Sequence, residues 1–158
     1  MSTIILGIDP GIADTGYGVI EVEKNNLKCL EYGSIKTSAQ DDPSLRLLKL
    51  EQGLQEIIDK YQPDIASVEK LFFNSNVKTA MTVSQARGIA LLTLEKNGIK
   101  LFEFTPLQIK KSVCNFGRAD KAQVIKMVKL ILNIKDQIKS DDSADALAAA
   151  ICASAYRF

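Results

Sequence analysis

The stretch Thr3-Ile4-Ile5-Leu6-Gly7-Ile8-Asp9-Pro10-Gly11 begins the chain with an apolar, β-branched run that stops at a Pro-Gly turn. Such a run predicts a buried strand, because β-branched side chains pack well on a sheet and proline cannot continue its hydrogen-bond ladder. Asp9 is then the last residue of a buried strand. A carboxylate is costly in that position unless a partner or an ion compensates its charge.

Two more strands are predicted directly after this one, over Tyr17 to Glu23 and Leu27 to Thr37, with a tight turn at Lys24-Asn25-Asn26 between them. Short turns between consecutive strands favour an antiparallel meander. Leucines and isoleucines at intervals of three and four up to Tyr61 then predict an amphipathic helix, with Ser44 as its cap.

The remaining elements are predicted to alternate between strand and helix. A strand over Ile65 to Glu69 is followed by a helix over Thr79 to Lys96 and a strand over Lys100 to Phe104. Thr105 is then predicted to cap a helix near Leu107 to Val113. Two more helices are predicted, near Lys121 to Leu132 and from Asp141 towards Arg157. The order β-β-β-α-β-α-β-α predicts an α/β fold, a mixed five-stranded sheet with helices on both faces. The length of 158 residues fits a single domain over 1–158.

Composition excludes several kinds of chemistry. The chain has no histidine, which rules out Ser-His and Cys-His nucleophile pairs and histidine-ligated zinc. Three widely spaced cysteines, Cys29, Cys114 and Cys152, are expected to be free thiols. Neither a leader-like N-terminus nor an apolar run of membrane-spanning length is visible, so we expect a cytoplasmic protein without a membrane partner.

Charge is distributed unevenly along the chain. The net charge is only +1, yet ten basic residues and three acidic ones lie between Lys96 and Lys139. A basic segment facing acidic elements suits a protein whose lysines hold phosphates while its carboxylates hold metal. The alternative is a set of solvated helix faces, since lysine is common on any protein surface.

Two carboxylates end predicted strands. Asp9 ends the first strand and Glu69 ends the fourth. A long helical crossover links these strands, so they can run parallel and present their carboxyl ends at one edge of the sheet. Two anionic side chains at that edge would repel each other unless a cation lies between them. The alternative is a pair of solvated strand-end charges that start turns.

Asp142 and Asp145 form a second acidic feature, because residues three apart face the same way on a helix. Asp142 is also explained as an acid in a first helical turn. Asp145, however, leads directly into the apolar run Ala146-Leu147-Ala148-Ala149, and no basic residue lies near it in sequence. A buried carboxylate needs a partner or an ion, so we expect a cation there.

Four oxygen donors from two strand ends and one helix would suit Mg²⁺, with Mn²⁺ as a substitute. Two such ions about 4 Å apart can activate a water and stabilise the leaving oxygen in phosphodiester hydrolysis. The alternative is four acids that share no common site.

Four motifs along the chain resemble those of the RuvC family of Holliday junction resolvases, in the family's order and spacing. They are Gly7-Ile8-Asp9-Pro10-Gly11 with Thr15-Gly16-Tyr17-Gly18; Glu69 with Phe72-Phe73, Thr79-Ala80 and Ser84-Gln85-Ala86-Arg87-Gly88; Thr105-Pro106 and Lys110 with Gly117-Arg118-Ala119-Asp120-Lys121-Ala122-Gln123-Val124; and Asp142-Ser143-Ala144-Asp145-Ala146-Leu147-Ala148. Together these motifs are highly specific, whereas the first alone would be weak.

The resemblance implies an RNase H-like, homodimeric, Mg²⁺-dependent endonuclease that nicks two opposed strands of a four-way DNA junction symmetrically. It also implies a junction-binding protein and a hexameric branch-migration motor as partners. The site residues it implies are the catalytic and metal-binding acids Asp9, Glu69, Asp142 and Asp145, the lysines Lys110 and Lys121 near the scissile phosphate, Arg118 as a further DNA-binding residue, and Phe72 as the aromatic that stacks on a base at the opened crossover.

Some positions depart from the family pattern. Lys70-Leu71 follows Glu69 where an acid or amide and valine are commoner, Ser84 replaces a usual glycine, and Asn115 lies where glycine is frequent. These departures concern loop geometry and sequence preference and leave the acids in place.

Three alternatives remain open from the sequence. The first motif also resembles the phosphate loop of actin-like ATPases, which need two such domains around a nucleotide. Another RNase H-like nuclease of the YqgF type is the second alternative, disfavoured by Phe72 and the Asp142/Asp145 pair. The third is a catalytically silent junction-binding module, which the presence of all four acids disfavours.

Overall fold

The computed structural model describes residues 2–70 and 77–156. The helices and strands, in chain order, are β1 Ser2–Asp9, β2 Asp14–Glu23, β3 Asn26–Lys36, α1 Pro43–Tyr61, β4 Ile65–Glu69, α2 Val77–Lys96, β5 Lys100–Phe104, α3 Pro106–Cys114, α4 Lys121–Ile131 and α5 Asp141–Ser154. The fourth and fifth strands have the predicted bounds.

The strands form one five-stranded sheet in the order β3-β2-β1-β4-β5. β1, β2 and β3 pair antiparallel, with Asp9 opposite Gly16 at the end of β1. β4 runs parallel to both β1 and β5. The sheet is therefore mixed, as predicted, and the carboxyl ends of β1, β4 and β5 lie at one edge.

Both faces of the sheet are covered by helices. Successive side chains of a strand point to opposite faces, and the buried Ile5 and Leu6 accordingly belong to two separate apolar clusters. Ile5 packs with residues of α3, α4 and α5, whereas Leu6 packs with residues of α1 and α2. The predicted arrangement of helices on both faces is confirmed, and α5 covers the face toward which Asp9 points.

The start of the first helix differs from the prediction. Ser44 is not its cap: α1 begins at Pro43, with Asp42 in the capping position and no side-chain cap hydrogen bond. Proline explains the earlier start, because its φ is already helical and its missing N–H is one that a first turn leaves unpaired. The other differences are shifts of a few residues at element ends.

Two expectations about the cysteines and about membrane-spanning segments can be compared with the structure. Cys29, Cys114 and Cys152 are free, as expected. Among residues 2–70 and 77–156, no helix combines the length and the apolar character that crossing a membrane requires.

Glu31 on β3 joins three elements through its carboxylate. The Tyr17 hydroxyl on β2 donates to Oε1 at 2.7 Å. At the end of α1, Lys60 Nζ and the Tyr61 hydroxyl donate to Oε2, each at 2.5 Å. The hydrogen bonds from Lys60, Tyr61 and Tyr17 lower the pKa of Glu31 to about 2. This network fastens α1 to the meander.

Glu31→Gln is predicted to lower the thermal unfolding midpoint at neutral pH by about 2–4 °C, because the charged acceptor of three hydrogen bonds is lost. The carboxylate has a pKa of about 2 when folded and an ordinary value of 4.5. Its contribution is therefore complete above pH 4.5 and is lost as the pH falls toward 2. Calorimetry from pH 7 to pH 2.5 should show the difference shrinking over that window.

Glu23→Gln, at an exposed position at the end of β2, is the matched control and should change the midpoint little at any pH. A difference between Glu31→Gln and wild type that is the same at pH 7 and pH 2.5 would contradict the assignment of the effect to the carboxylate charge.

Candidate active site

Three carboxylates meet at the sheet edge that β1 reaches. Asp9 ends β1, and Asp142 and Asp145 lie in the first two turns of α5. One carboxylate oxygen from each residue lies within 4.8 Å of the other two. The structure thus brings together three of the four acids that the sequence singled out, each of them half-buried.

Close packing of α5 on the sheet produces this meeting. The Ala146 carbonyl oxygen occupies the space that a side chain on Gly7 would need, and the Asp142 backbone does the same at Gly16. Only glycine permits such an approach of backbone to backbone. The two glycines therefore let α5 lie low enough on β1 and β2 for its acids to reach Asp9.

Electrostatic repulsion is strong within this group. The pKa of Asp9 is raised to about 8, by burial first and then by the Asp145 charge, a hydrogen bond with the Asp142 carboxyl and the charges of Asp142 and Glu69. Burial is also the largest cause that raises the pKa of Asp145 above its ordinary value. Carboxylate oxygens that lie this close together repel one another, and a divalent cation such as Mg²⁺, which prefers oxygen ligands, would compensate their charge.

Glu69 lies at the rim of this group. It ends β4 at an exposed position and lines a pocket with Lys110, Lys121 and Asp145. Desolvation by the surrounding protein and the Asp145 charge raise its pKa, while Lys110 and Lys121 act in the opposite direction. Glu69 is thus close enough to interact with the site, but it is not one of the three acids whose oxygens cluster within 4.8 Å.

Lys121 supplies a partner for Asp145 that the local sequence does not reveal. Its Nζ donates to Asp145 Oδ2 at 2.6 Å, and the two side chains are 49% and 34% exposed. Desolvation lowers the pKa of Lys121, but the hydrogen bond and charge of Asp145 outweigh it and raise the pKa above its ordinary value. A lysine 24 residues earlier in sequence thus compensates Asp145 in part, and the cation that the sequence leads us to expect there stays a prediction.

The other DNA-binding candidates lie on or beside the same pocket, where the structure describes them. Lys110 is a half-buried residue of α3 that lines the pocket. Arg118 is exposed in the loop between α3 and α4. Phe72 lies outside the described residues, so its predicted role stays a prediction.

Arg87 is a site-supporting residue to which the sequence analysis assigned no role. Its guanidinium forms an ion pair with Glu103 on β5 and donates from Nη1 to the Glu69 carbonyl oxygen at 3.3 Å. These contacts fix the backbone at the end of β4. Arg87 belongs to the quoted second motif, and its place there was the only sequence signal for it.

The loop after Asp9 is held by two threonines. The buried Thr15 exchanges hydrogen bonds with the Gly11 backbone. Thr37 donates to the Ile12 carbonyl oxygen at 2.5 Å and accepts from Arg46 Nε at 2.9 Å. Asp9 is therefore followed by a turn whose backbone is fixed from both sides.

Comparison with known proteins agrees with this geometry. The family model of the crossover junction endodeoxyribonuclease RuvC matches residues 5–153. The crossover junction endodeoxyribonuclease RuvC of Ruminiclostridium cellulolyticum is 55% identical over 149 residues, which cover 94% of this chain and 90% of that protein. The protein of the same name from Clostridioides difficile is 51% identical over 149 residues, which cover 94% of this chain and 88% of that protein.

Solved structures show the same relationship. The Thermus thermophilus RuvC structure has a TM-score of 0.87 and 31% identity, over 95% of this chain and 92% of that one. T. thermophilus RuvC in complex with Holliday junction substrate has a TM-score of 0.86 and 29% identity, over the same shares. The yeast mitochondrial Holliday junction resolvase Ydc2, at 17% identity and a TM-score of 0.66 over 95% of this chain and 77% of that one, shares the fold.

The fold and the site together define an RNase H-like nuclease of the resolvase class, with acids at the ends of β1 and β4 and on α5. A family match over nearly the whole chain is more specific than this class. The chain belongs to the RuvC family of crossover junction endodeoxyribonucleases. This membership decides against the actin-like and YqgF-type alternatives.

Without divalent cations, Asp9→Asn is predicted to raise the thermal unfolding midpoint, by about 2–4 °C for each kcal/mol of repulsion removed. The pKa of Asp9 is about 8 in the folded chain against an ordinary 3.8. The folded state therefore resists ionisation, and wild type loses stability as the pH rises from 3.8 to 8. Thermal melts in a chelator should show a larger gain for the variant at pH 8.5 than at pH 5.

Added Mg²⁺ should raise the midpoint of wild type and raise that of Asp9→Asn much less, because the variant has lost one ligand. Asp136→Asn, at an exposed position between α4 and α5, is the control and should respond to Mg²⁺ like wild type. If Asp9→Asn is less stable than wild type in chelator at both pH values, the Asp9 charge does not destabilise the folded protein and the prediction is wrong.

Proposed function

We propose that this protein resolves Holliday junctions in recombination and DNA repair, by symmetric Mg²⁺-dependent nicking of two opposed strands. The observation that carries the proposal is the gathering of Asp9, Asp142 and Asp145 within 4.8 Å, in a chain of the RuvC family. Support for the substrate comes from the related T. thermophilus RuvC, whose structure has been solved in complex with Holliday junction substrate.

The three clustered acids and Glu69 are the proposed holders of Mg²⁺, two ions per site, with Mn²⁺ as a substitute. Bound at such a site, divalent ions lower the pKa of a water nucleophile and stabilise the leaving oxygen of a phosphodiester. Because the chain has no histidine, the carboxylates are the groups that we propose would orient that water.

Lys110 and Lys121 are the proposed phosphate contacts. Both line the pocket with Glu69 and Asp145, so a phosphate held at the acids would lie within their reach. Lys121 is also catalytic in this proposal, because its ammonium can stabilise charge that develops on the phosphate in the transition state. Arg118, exposed on the neighbouring loop, is proposed to hold a phosphate outside the pocket.

Phe72 is proposed to stack on a base at the opened crossover. The support is its position three residues after Glu69 in the second family motif, and a stacked base is worth about 1–3 kcal/mol.

The departures from the family pattern at Lys70, Ser84 and Asn115 leave the four acids of the site in place. Asn115 takes a φ of 56° at the end of α3, a conformation that asparagine tolerates better than most residues.

A homodimer through α2 is the proposed assembly. The outward face of this helix carries four exposed apolar side chains, with the small residues Ser84 and Gly88 on the same stripe. The apolar residues are Val77, Met81, Leu91 and Leu92. A twofold dimer through this stripe is self-complementary and provides two sites for two strands.

The proposal also includes two protein partners and a location. A junction-binding protein and a branch-migration motor are the partners that the family resemblance implies. The cytoplasm is the proposed location, in line with the expectation from the sequence.

Asp9→Asn and Glu69→Gln are each predicted to reduce junction cleavage by at least about a hundredfold while leaving junction affinity nearly unchanged. Removing a metal-binding or charge-stabilising group typically costs that much in rate, whereas affinity rests mainly on phosphate contacts. The measurement is single-turnover cleavage of a labelled four-way junction in Mg²⁺, with binding measured in chelator.

Asp136→Asn is the control in this assay and should cut like wild type. A linear duplex of the same sequence and an ATPase assay run beside the junction. Junction binding without cutting by wild type would indicate the catalytically silent module, and normal cutting by either acid variant would remove that residue from the site.

Met81→Lys is predicted to convert the protein to a monomer, because a charge on the apolar stripe cannot be buried without a partner. Sedimentation velocity measures the assembly directly. Leu130→Lys, which changes an exposed leucine on α4, should leave the dimer intact. The α2 interface is wrong if both variants sediment as wild type does.

A further inference from the structure

Phe116 is an aromatic side chain that the active site described above does not use. It lies in the loop of residues 115–120 between α3 and α4, with 53% of its surface exposed. Leu107, at the start of α3, is 51% exposed and packs against Gly117 in the space that a Cβ there would need. Phe116 and Leu107 are therefore two large apolar side chains that face solvent at α3 and α4, the helices that carry the pocket lysines.

The loop holds this ring on a fixed backbone. Asn115, in the left-handed conformation, donates its N–H to the Lys111 carbonyl oxygen at 2.9 Å and ends α3. Ala119 is buried, and its N–H donates to the Phe116 carbonyl oxygen at 3.3 Å. Because the backbone is already fixed, less conformational entropy is lost when the ring contacts a partner.

The charges around the ring specify an anionic partner. Lys111 precedes it and Arg118 follows it in sequence, both exposed, and Lys110 and Lys121, on the two helices that the loop joins, line the pocket. The one acid of the loop, Asp120, is engaged as the cap of α4. Alternation of cationic groups with an exposed aromatic ring is the usual composition of a nucleic-acid surface.

The distance to the catalytic acids fits DNA that enters the site. Phe116 is five residues from Lys121, so their Cα atoms are at most about 18 Å apart. That length corresponds to roughly five base-pair steps of about 3.4 Å each. DNA whose scissile phosphate lies between Lys110 and Lys121 thus has nucleotides within reach of the ring.

We propose that Phe116 stacks against a base of the junction arm that enters the active site, while Lys111 and Arg118 hold the phosphates on either side. This inference rests on the proposed function, since it takes junction DNA as the occupant of the site. It adds a second aromatic contact, which lies on the lysine side of the pocket and is independent of Phe72. The contact serves to fix which phosphate of the arm reaches the acids.

Phe116→Ala should weaken binding to a four-way junction, measured in chelator, by about 5- to 150-fold, the loss expected for one stacked base. Phe116→Trp should retain most of the affinity. Leu130→Ala, which removes a large side chain from α4 that is at least as exposed as Phe116, is the matched control and should bind like wild type. Thermal melts of the three variants check that each is folded.

Junctions with 2-aminopurine at single positions within five nucleotides of the cut locate the contact. Wild type and Phe116→Trp should change the fluorescence at one of these positions, and Phe116→Ala should not. Equal affinity and equal fluorescence for wild type and Phe116→Ala would overturn the inference, even where wild type cuts junctions normally. A Phe116→Ala protein that becomes monomeric would also overturn it, because the ring would then face a second copy. Failure of wild type to cut any junction would instead refute the proposed function itself.

Discussion

Contact between the backbone of α5 and the backbones of β1 and β2 is the constraint on which the site depends. Gly7 and Gly16 have no side chain where Ala146 and Asp142 approach, and a methyl group at either position would lift the helix from the sheet. Raising α5 would separate its acids from Asp9 and would also open the apolar cluster beneath it. The same close packing thus builds both the core and the chemistry.

This packing has an electrostatic cost. Asp9 and Asp145 are both half-buried, and burial is the largest cause that raises the pKa of each. The Asp145 charge also raises the pKa of Asp9, whereas the charges of Asp142 and Asp141 raise that of Asp145. The ion pair of Asp145 with Lys121 offsets part of the repulsion, but both side chains are about a third to a half exposed, so solvent screens it. A cation bound as proposed would relieve this repulsion, and its binding would then stabilise the folded state.

Much of the fold follows from local sequence, and the site follows in part. The apolar runs that end at Asp9 and Glu69 predicted the strands, and the rule that parallel strands share an edge predicted that these two acids face one region. Ser44 is not the cap of α1, because Pro43 before it already occupies the first helical position, which proline tolerates. The pair of Lys121 with Asp145 could not be predicted from local pattern, because packing of α4 on α5 joins residues 24 positions apart.

Placement of the two pocket lysines depends on how their helices begin. Thr105 starts α3 and Asp120 starts α4, each in a capping box that closes reciprocal hydrogen bonds with a glutamine three residues later. A capped first turn does not fray, so the residues within it keep their direction. Lys121 is the first residue of α4, and the cap therefore fixes the backbone from which its half-exposed side chain reaches Asp145. Lys110 lies one turn into α3 on the same principle. The acids are fixed by the sheet and by glycine contacts, whereas the lysines are fixed by helix caps, so the two halves of the site are positioned by independent parts of the fold.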